Sequence, residues 1–283
     1  MTRDTAGVPS NACDCHIHIY DDAYPLAPTA TFRPPQAPVA AYRRVQQATG
    51  LARVVVVQPT GYGYDNRCTL DALAAFGPHA RGVATLPVDV PDAELERLHA
   101  AGVRGARFMM LSGGAARWDE MERMAARIAS LGWHIDVQLD GRTLPDVEPL
   151  LAALPSRVVI DHTGKFLVPV APDAPSFVAL RRLLDLGHVW VKLSAPYETS
   201  QVGAPGYDDV ARLASVLARE HATRCVWGTN WPHPNASPLP DDAHLLGWLH
   251  DCAADGRLSR AILVDNPAAL YGFDTVGRRD AVV

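Results

Sequence analysis

The sequence predicts an α/β fold: a single-domain (β/α)8 TIM barrel over residues 1–283, with 1–11 as an N-terminal extension and 275–283 as a C-terminal tail. Eight short, β-branched apolar runs alternate strictly with eight stretches of helical spacing. A length of 283 residues suits one such barrel, and no break in composition marks a linker. A doubly wound open sheet is the nearest competitor. Against it, the first strand is not followed by a GxGxxG turn, and no GxxxxGK[ST] phosphate loop occurs.

The first strand is expected at 12–20, with His16 and His18 on one stripe. Pro25, Pro28, Pro34, Pro35 and Pro38 keep the next stretch extended, because proline fixes φ and lacks an N–H. Helix one then spans 39–49, and the valine run at 53–58 makes strand two, followed by a helix at 70–76. The remaining strand and helix pairs fall at 82–87 and 93–101, 104–110 and 119–131, 133–139 and 146–154, and 157–162 and 176–186. Two more follow, at 188–194 and 208–221, then 224–230 and 242–254. A further segment at 260–273 carries Asn266-Pro267, where proline suits the first turn of a terminal helix.

Composition narrows the class. Apolar residues make up 48% and charged residues 20% of the chain, enough for a sizeable core and unlike a disordered or fibrous protein. No apolar run approaches the ~18 residues of a spanning helix, and residues 1–10 lack a signal peptide's apolar stretch, so the expectation is a cytoplasmic protein that does not bind membranes. A net charge of -5 offers no general pull on nucleic acid. Cys13, Cys15, Cys68, Cys225 and Cys252 form neither a disulfide framework nor a zinc ribbon, and are read as reduced structural thiols. The expected partner is a small molecule, with homo-oligomer formation left open.

Barrel enzymes place their chemistry at the C-terminal ends of the strands. His16 and His18 share a face there, and strict alternation would turn Cys13, Cys15 and Ile17 outward to the helices. The sixth strand ends at Asp161-His162, a third histidine on the same rim. Three histidines invite a zinc site, but Gln138 and Asn230 stand where a further imidazole or a carboxylate ligand would help. Arg107 and Lys192 are cations on barrel strands and need anionic partners. For Arg107 a ligand carboxylate and an internal ion pair both stay open; for Lys192 a barrel aspartate is expected. The loop from Gln58 to Arg67, dense in hydroxyl, amide and glycine, could wrap a small polyol or carboxylate.

Seven motifs in order resemble the amidohydrolase superfamily, specifically its metal-independent lactonase branch of 2-pyrone-4,6-dicarboxylate lactonases and sugar-acid lactone isomerases and lactonases. They are Asp14-Cys15-His16-Ile17-His18, Gln58-Pro59 with Asp65-Asn66-Arg67, Arg107-Phe108, Asp161-His162-Thr163-Gly164, Trp190 to Ser194, Trp227 to Pro234, and Asn266-Pro267-Ala268. The resemblance covers nearly the whole chain. It implies a barrel that opens a small carboxylate-bearing lactone by activated water, without metal or other cofactor. His16, His18, His162 and Asn230 would be the catalytic set. Arg107, Gln58, Tyr62, Asn66, Arg67, Gln138, Tyr197 and His233 would bind substrate.

The branch usually carries Asp where this chain has Asn230. That departure reads as an inactivating substitution, a natural variant using another base, or a barrel that only binds. If a carboxylate is the missing base, Asn230→Asp should raise hydrolysis by roughly 10²–10⁴-fold. Arginines of the dicarboxylate lactonases are also missing at Ser112-Gly113-Gly114 and across Ala195 to Thr199, which disfavours a pyrone dicarboxylate and moves the chain toward the sugar-lactone members. Lactone isomerisation is the alternative to hydrolysis, followed by metal-dependent hydrolysis or decarboxylation.

Overall fold

The computed structural model describes residues 8–234 and 236–274, so the expected tail at 275–283 and most of the 1–11 extension lie outside the described residues. Eight parallel strands follow sequence order: β1 (Cys13–Ile17), β2 (Arg53–Val57), β3 (Ala80–Ala84), β4 (Val103–Met109), β5 (His134–Gln138), β6 (Arg157–Ile160), β7 (Val189–Ser194) and β8 (Cys225–Gly228). The ring shuts where Ile17 bridges Trp231 in parallel and Asn230 N donates to His16 O at 2.8 Å. Glycine is needed at this seam, since a Cβ on Gly228 would sit 2.7 Å from His16 N. Buried Asp14 fastens it, accepting from Thr229 N (2.9 Å), Thr229 Oγ1 (2.6 Å) and the Tyr42 hydroxyl (2.8 Å).

Around the strands lie α1 (Val39–Thr49), α2 (Arg67–Phe76), α3 (Asp92–Ala100), α4 (Met121–Ala129), α5 (Leu144–Ala153), α6 (Pro175–Asp185), α7 (Asp208–Glu220) and α8 (Asp242–Ala253). Each turns an apolar stripe inward: α4 buries Met121, Met124, Ala125 and Ile128, and α7 buries Val210, Leu213, Ala214 and Leu217, at helical spacing. The Asp241 carboxylate caps α8 by accepting from His244 N at 3.0 Å. After a short α9 (Gly256–Arg260), α10 (Asn266–Tyr271) sets Tyr271 edge-on to His134 of β5, ring centroids 5.3 Å apart. Among the described residues, no helix is long and apolar enough to cross a membrane.

β1 departs from the strict alternation expected of it. Its register with β2 shifts between Asp14 and Ile17, a β-bulge that adds one residue to the inner face. Asp14 therefore meets Tyr42 of α1, while Cys13 and Cys15 pack with Val55, Val57, Val83, Val159 and Val226 inside the barrel rather than against the helices. The bulge still delivers His16 and His18 together to the barrel mouth, where their Nε2 atoms lie 3.3 Å apart.

Candidate active site

The C-terminal ends of the strands open into a cavity of about 610 Å³, lined in part by His18, Arg107, Gln138, His162, Tyr197 and Asn230. At three strand exits the backbone enters the left-handed region: His162 (φ 54) and Thr163 (φ 56) after β6, Ala195 (φ 47) after β7 and Asn230 (φ 61) after β8. Non-glycine residues rarely hold this conformation, and its concentration at a cavity rim is typical of sites where geometry outranks backbone comfort.

Below the cavity the polar residues are wired in a definite order. His18 Nδ1 donates to Val57 O at 2.8 Å, so the neutral ring has a bare Nε2, and His16 Nε2, 3.3 Å away, must supply the proton between them. His16 Nδ1 is then an acceptor, and Lys192 Nζ donates to it at 3.1 Å. The same ammonium bonds Asp136 and lies 3.0 Å from Asp161 Oδ1, with all three side chains fully buried. Burial alone would lower Lys192, but Asp136 and Asp161 outweigh it and hold its pKa above the usual value. Burial, with Lys192 next, lowers His16; burial, with Arg107 next, lowers His18 well below its usual value; burial also lowers His162 well below it. At all three positions burial favours the neutral imidazole.

His16, Asp161 and His162 offer ligand atoms within 4.8 Å of one another, the one such cluster among the described residues. The cluster already borders a buried cation. The Lys192 ammonium already occupies the inner side of His16 and Asp161, and a second, doubly charged cation would lie a few ångströms from it in a buried site. The position at the end of β8 adds a neutral amide rather than a carboxylate.

Arg107 is held by neutral groups. Nη1 donates to Gln58 O (2.5 Å) and Nη2 to Gln138 Oε1 (2.9 Å), both neutral acceptors, while buried Nε has no partner. No carboxylate of the described residues neutralises this cation, and it lines the cavity.

Asn230 Nδ2 donates to the Tyr197 hydroxyl and to Glu198 Oε1, both at 2.9 Å, leaving its buried Oδ1 without a partner. Glu198 is also bonded to Lys165, and among the described residues it is the only acid side chain lining the cavity. Behind Tyr197, His233 Nδ1 lies 3.1 Å from the phenol oxygen, and its Nε2 lies 3.0 Å from Asp242 Oδ1. His162 Nδ1 engages Ser194 Oγ at 2.9 Å, which leaves Nε2 for the cavity.

The residues singled out in the sequence divide accordingly. His18, Arg107, Gln138, His162, Tyr197 and Asn230 meet at the cavity, with His16 directly beneath. The loop after β2 does not wrap the site as expected, because its side chains are taken up by backbone groups of the loop itself and of neighbouring segments. Gln58 holds Gly63 O and Asp65 O, Tyr62 bonds the Asp21 backbone, and Asn66 binds Thr85 through both N and O. Arg67 is exposed and paired with Asp65. Pro59 and Thr60 alone carry that loop to the cavity, and His233 stands behind it rather than in it. Glu198 and Lys165 went unremarked as site residues, although each follows a strand end where a charged side chain is a signal; Asp242, on a helix, gave none.

A parallel barrel with a histidine pair on its first strand and polar side chains gathered at the C-terminal rim has the layout of a barrel enzyme's active face. Comparison with known proteins is specific about which: the amidohydrolase family matches residues 13–273, and the chain belongs to it. It is 38% identical to the D-galactarolactone isomerase of Agrobacterium fabrum, over 97% of this chain and 96% of that protein. Identity to the 2-pyrone-4,6-dicarboxylate hydrolase of Comamonas testosteroni is 37%, over 93% and 91% of the two chains. An apo crystal structure from Agrobacterium tumefaciens superposes with a TM-score of 0.88 at 37% identity, covering 95% of this chain and 98% of that one.

Proposed function

We propose that the protein is a lactone-acting enzyme that isomerises a carboxylate-bearing sugar-acid lactone, moving the acyl group from one hydroxyl of the substrate to another without a metal. One observation carries the choice of nucleophile: among the described residues no free carboxylate faces the cavity to activate water, since position 230 is an amide and Glu198 is tied to Lys165 and Asn230. A substrate hydroxyl held beside its own lactone carbonyl needs less activation, because intramolecular attack supplies effective molarities of about 10⁵–10⁸ M. The unneutralised Arg107 takes the substrate carboxylate, its planar fork suited to two parallel bonds. His162 Nε2 faces the developing oxyanion, and the bare Asn230 Oδ1 accepts from a ring hydroxyl. Buried Lys192 provides a fixed positive charge where a metal would otherwise act. The five buried, unpaired cysteines suit a reducing, cytoplasmic compartment.

The similarity to a galactarolactone isomerase supports this reading, and that to a pyrone-dicarboxylate hydrolase supports hydrolysis of the same lactones as the second. Incubating the enzyme with 1,4- and 1,5-lactones of aldaric acids in ¹⁸O-water separates them. Isomerisation interconverts the ring forms with no ¹⁸O gained; one ¹⁸O in a ring-opened acid, with no second lactone, makes the enzyme a hydrolase.

A further inference from the structure

Acyl transfer between substrate oxygens needs a group to take the proton of the attacking hydroxyl and return it to the leaving one. We propose that Tyr197, His233 and Asp242 form that proton relay, with Tyr197 the residue that meets the substrate. The proposal deepens the lactone-isomerase reading and rests on it.

The order of protons along the relay is forced by its far end. Asp242 Oδ1, at the first residue of α8, can only accept, so His233 Nε2, 3.0 Å away, carries a proton. In the neutral imidazole Nδ1 is then bare, and the Tyr197 hydroxyl, 3.1 Å from it, donates. Asn230 Nδ2 gives the phenol oxygen a hydrogen bond at 2.9 Å, occupying one lone pair. The second lone pair is left for a hydroxyl in the cavity that Tyr197 lines. His233 is 4% exposed and holds a left-handed backbone (φ 62), so its ring is enclosed and its placement is imposed by the fold. The arrangement repeats the logic of a carboxylate that orients an imidazole and stabilises its protonated form, with a phenol as the outermost member.

In the forward step the substrate O–H bond breaks and its proton passes to the Tyr197 oxygen, as the phenol's own proton moves to His233 Nδ1. The freed electron pair forms the new C–O bond at the lactone carbonyl, and the carbonyl π pair moves to oxygen. On collapse the C=O bond re-forms and the old ring C–O bond breaks. The leaving oxygen takes the proton from Tyr197 while His233 returns its own. Nothing is oxidised, and no net proton is taken up. Burial holds the Tyr197 phenol well above its ordinary pKa, so it passes protons without resting as the phenolate.

The test compares Tyr197→Phe, His233→Ala and Asp242→Asn with the parent enzyme on an interconverting lactone pair. Tyr197→Phe and His233→Ala should each lower kcat by about 10²–10⁴-fold, the usual span of general-base contributions, with KM little changed. Added imidazole should restore part of the activity of His233→Ala and none of that of Tyr197→Phe, a distinction that simple loss of packing would not produce. A folded His233→Ala enzyme within a few-fold of the parent's kcat overturns the relay and leaves the isomerase reading intact. If the parent converts no lactone, the isomerase reading fails, and ¹⁵N NMR of His233 still decides the relay. Protonated Nε2 with bare Nδ1 supports it; protonated Nδ1 overturns it.

Discussion

Asn230→Asp tests the electrostatics of the rim more sharply than the sequence alone suggested. The substituted side chain would bring a carboxylate oxygen to the place of Nδ2, 2.9 Å from Glu198 Oε1. Two unit negative charges at that separation repel by about 6 kcal/mol at an effective dielectric of about 20, equivalent to about four pKa units. Even if Lys165 and solvent offset half of this, about two units remain, enough to move a carboxyl from about 4 to about 6 or above. The introduced acid should therefore share a proton with Glu198 and act as a base only as pH rises. We expect Asn230→Asp to gain hydrolysis weakly at pH 6 and more strongly toward pH 8, within the roughly 10²–10⁴-fold span of a general base. Asn230→Asp combined with Glu198→Gln should show the gain already at pH 6. Ring-opened acid, followed by NMR across pH for parent, single and double variants, measures it. Equal hydrolysis at pH 6 and 8 by the single variant, with nothing added by Glu198→Gln, would refute the coupling.

Arg107→Met should raise KM for a carboxylate-bearing lactone by about 10–100-fold, the value of a charge-assisted hydrogen bond, and spare a neutral lactone; equal losses on both would remove the carboxylate-binding role. Lys192→Met strands two buried carboxylates and should destabilise the fold by about 3–5 kcal/mol at pH 7. Asp161 is held well below its usual pKa, because the Lys192 ammonium leads the interactions that outweigh its burial, so its contribution in the parent persists at neutral pH and fades only as pH falls through that lowered value. The stranded acids of Lys192→Met should instead bind protons more readily than when unfolded, so its melting temperature should climb from pH 8 to pH 5; a fall over that range would show that the ammonium is not their counter-ion. Activity should survive chelation, and elemental analysis showing about one zinc per chain, with activity lost on its removal, would defeat the metal-free reading.

The barrel was legible because its signals are local. Valine runs such as 53–57 and the stripe of Met121, Met124, Ala125 and Ile128 depend on period alone, which packing then obeyed. His16, His162 and Arg107 were legible because a parallel barrel delivers strand ends to one rim. The bulge in β1 was not: one extra residue between Asp14 and Ile17 reverses Cys13 and Cys15, yet nothing in their identity announces it. The loop from Gln58 to Arg67 misled for a different reason. Amides and hydroxyls that could bind a ligand are also those that satisfy a tight loop, and Gln58, Tyr62 and Asn66 are taken by backbone partners near and far in sequence.

The neighbours of Asn230 bear on why an amide stands there. A side chain that had lost a catalytic carboxylate would leave behind donors arranged for an acid. Here both partners accept: Glu198 carries its own negative charge, and the Tyr197 oxygen takes the Asn230 proton because its own is directed to His233. A carboxylate has no proton to give either of them, whereas the two N–H bonds of an amide serve both. Glu198, in turn, is balanced by Lys165, so the rim is electrically settled only with a neutral residue at 230. This favours the natural variant over an inactivating substitution among the readings open in the sequence, and under the proposed isomerisation the amide is a working part, holding the phenol oxygen of Tyr197 while its own unpartnered Oδ1 is left for substrate. Asn230→Ala should therefore impair isomerisation through both lost bonds. Asn230→Gln, which keeps the amide but not its reach, should restore little of it; recovery by Gln would mean that the amide's position is immaterial.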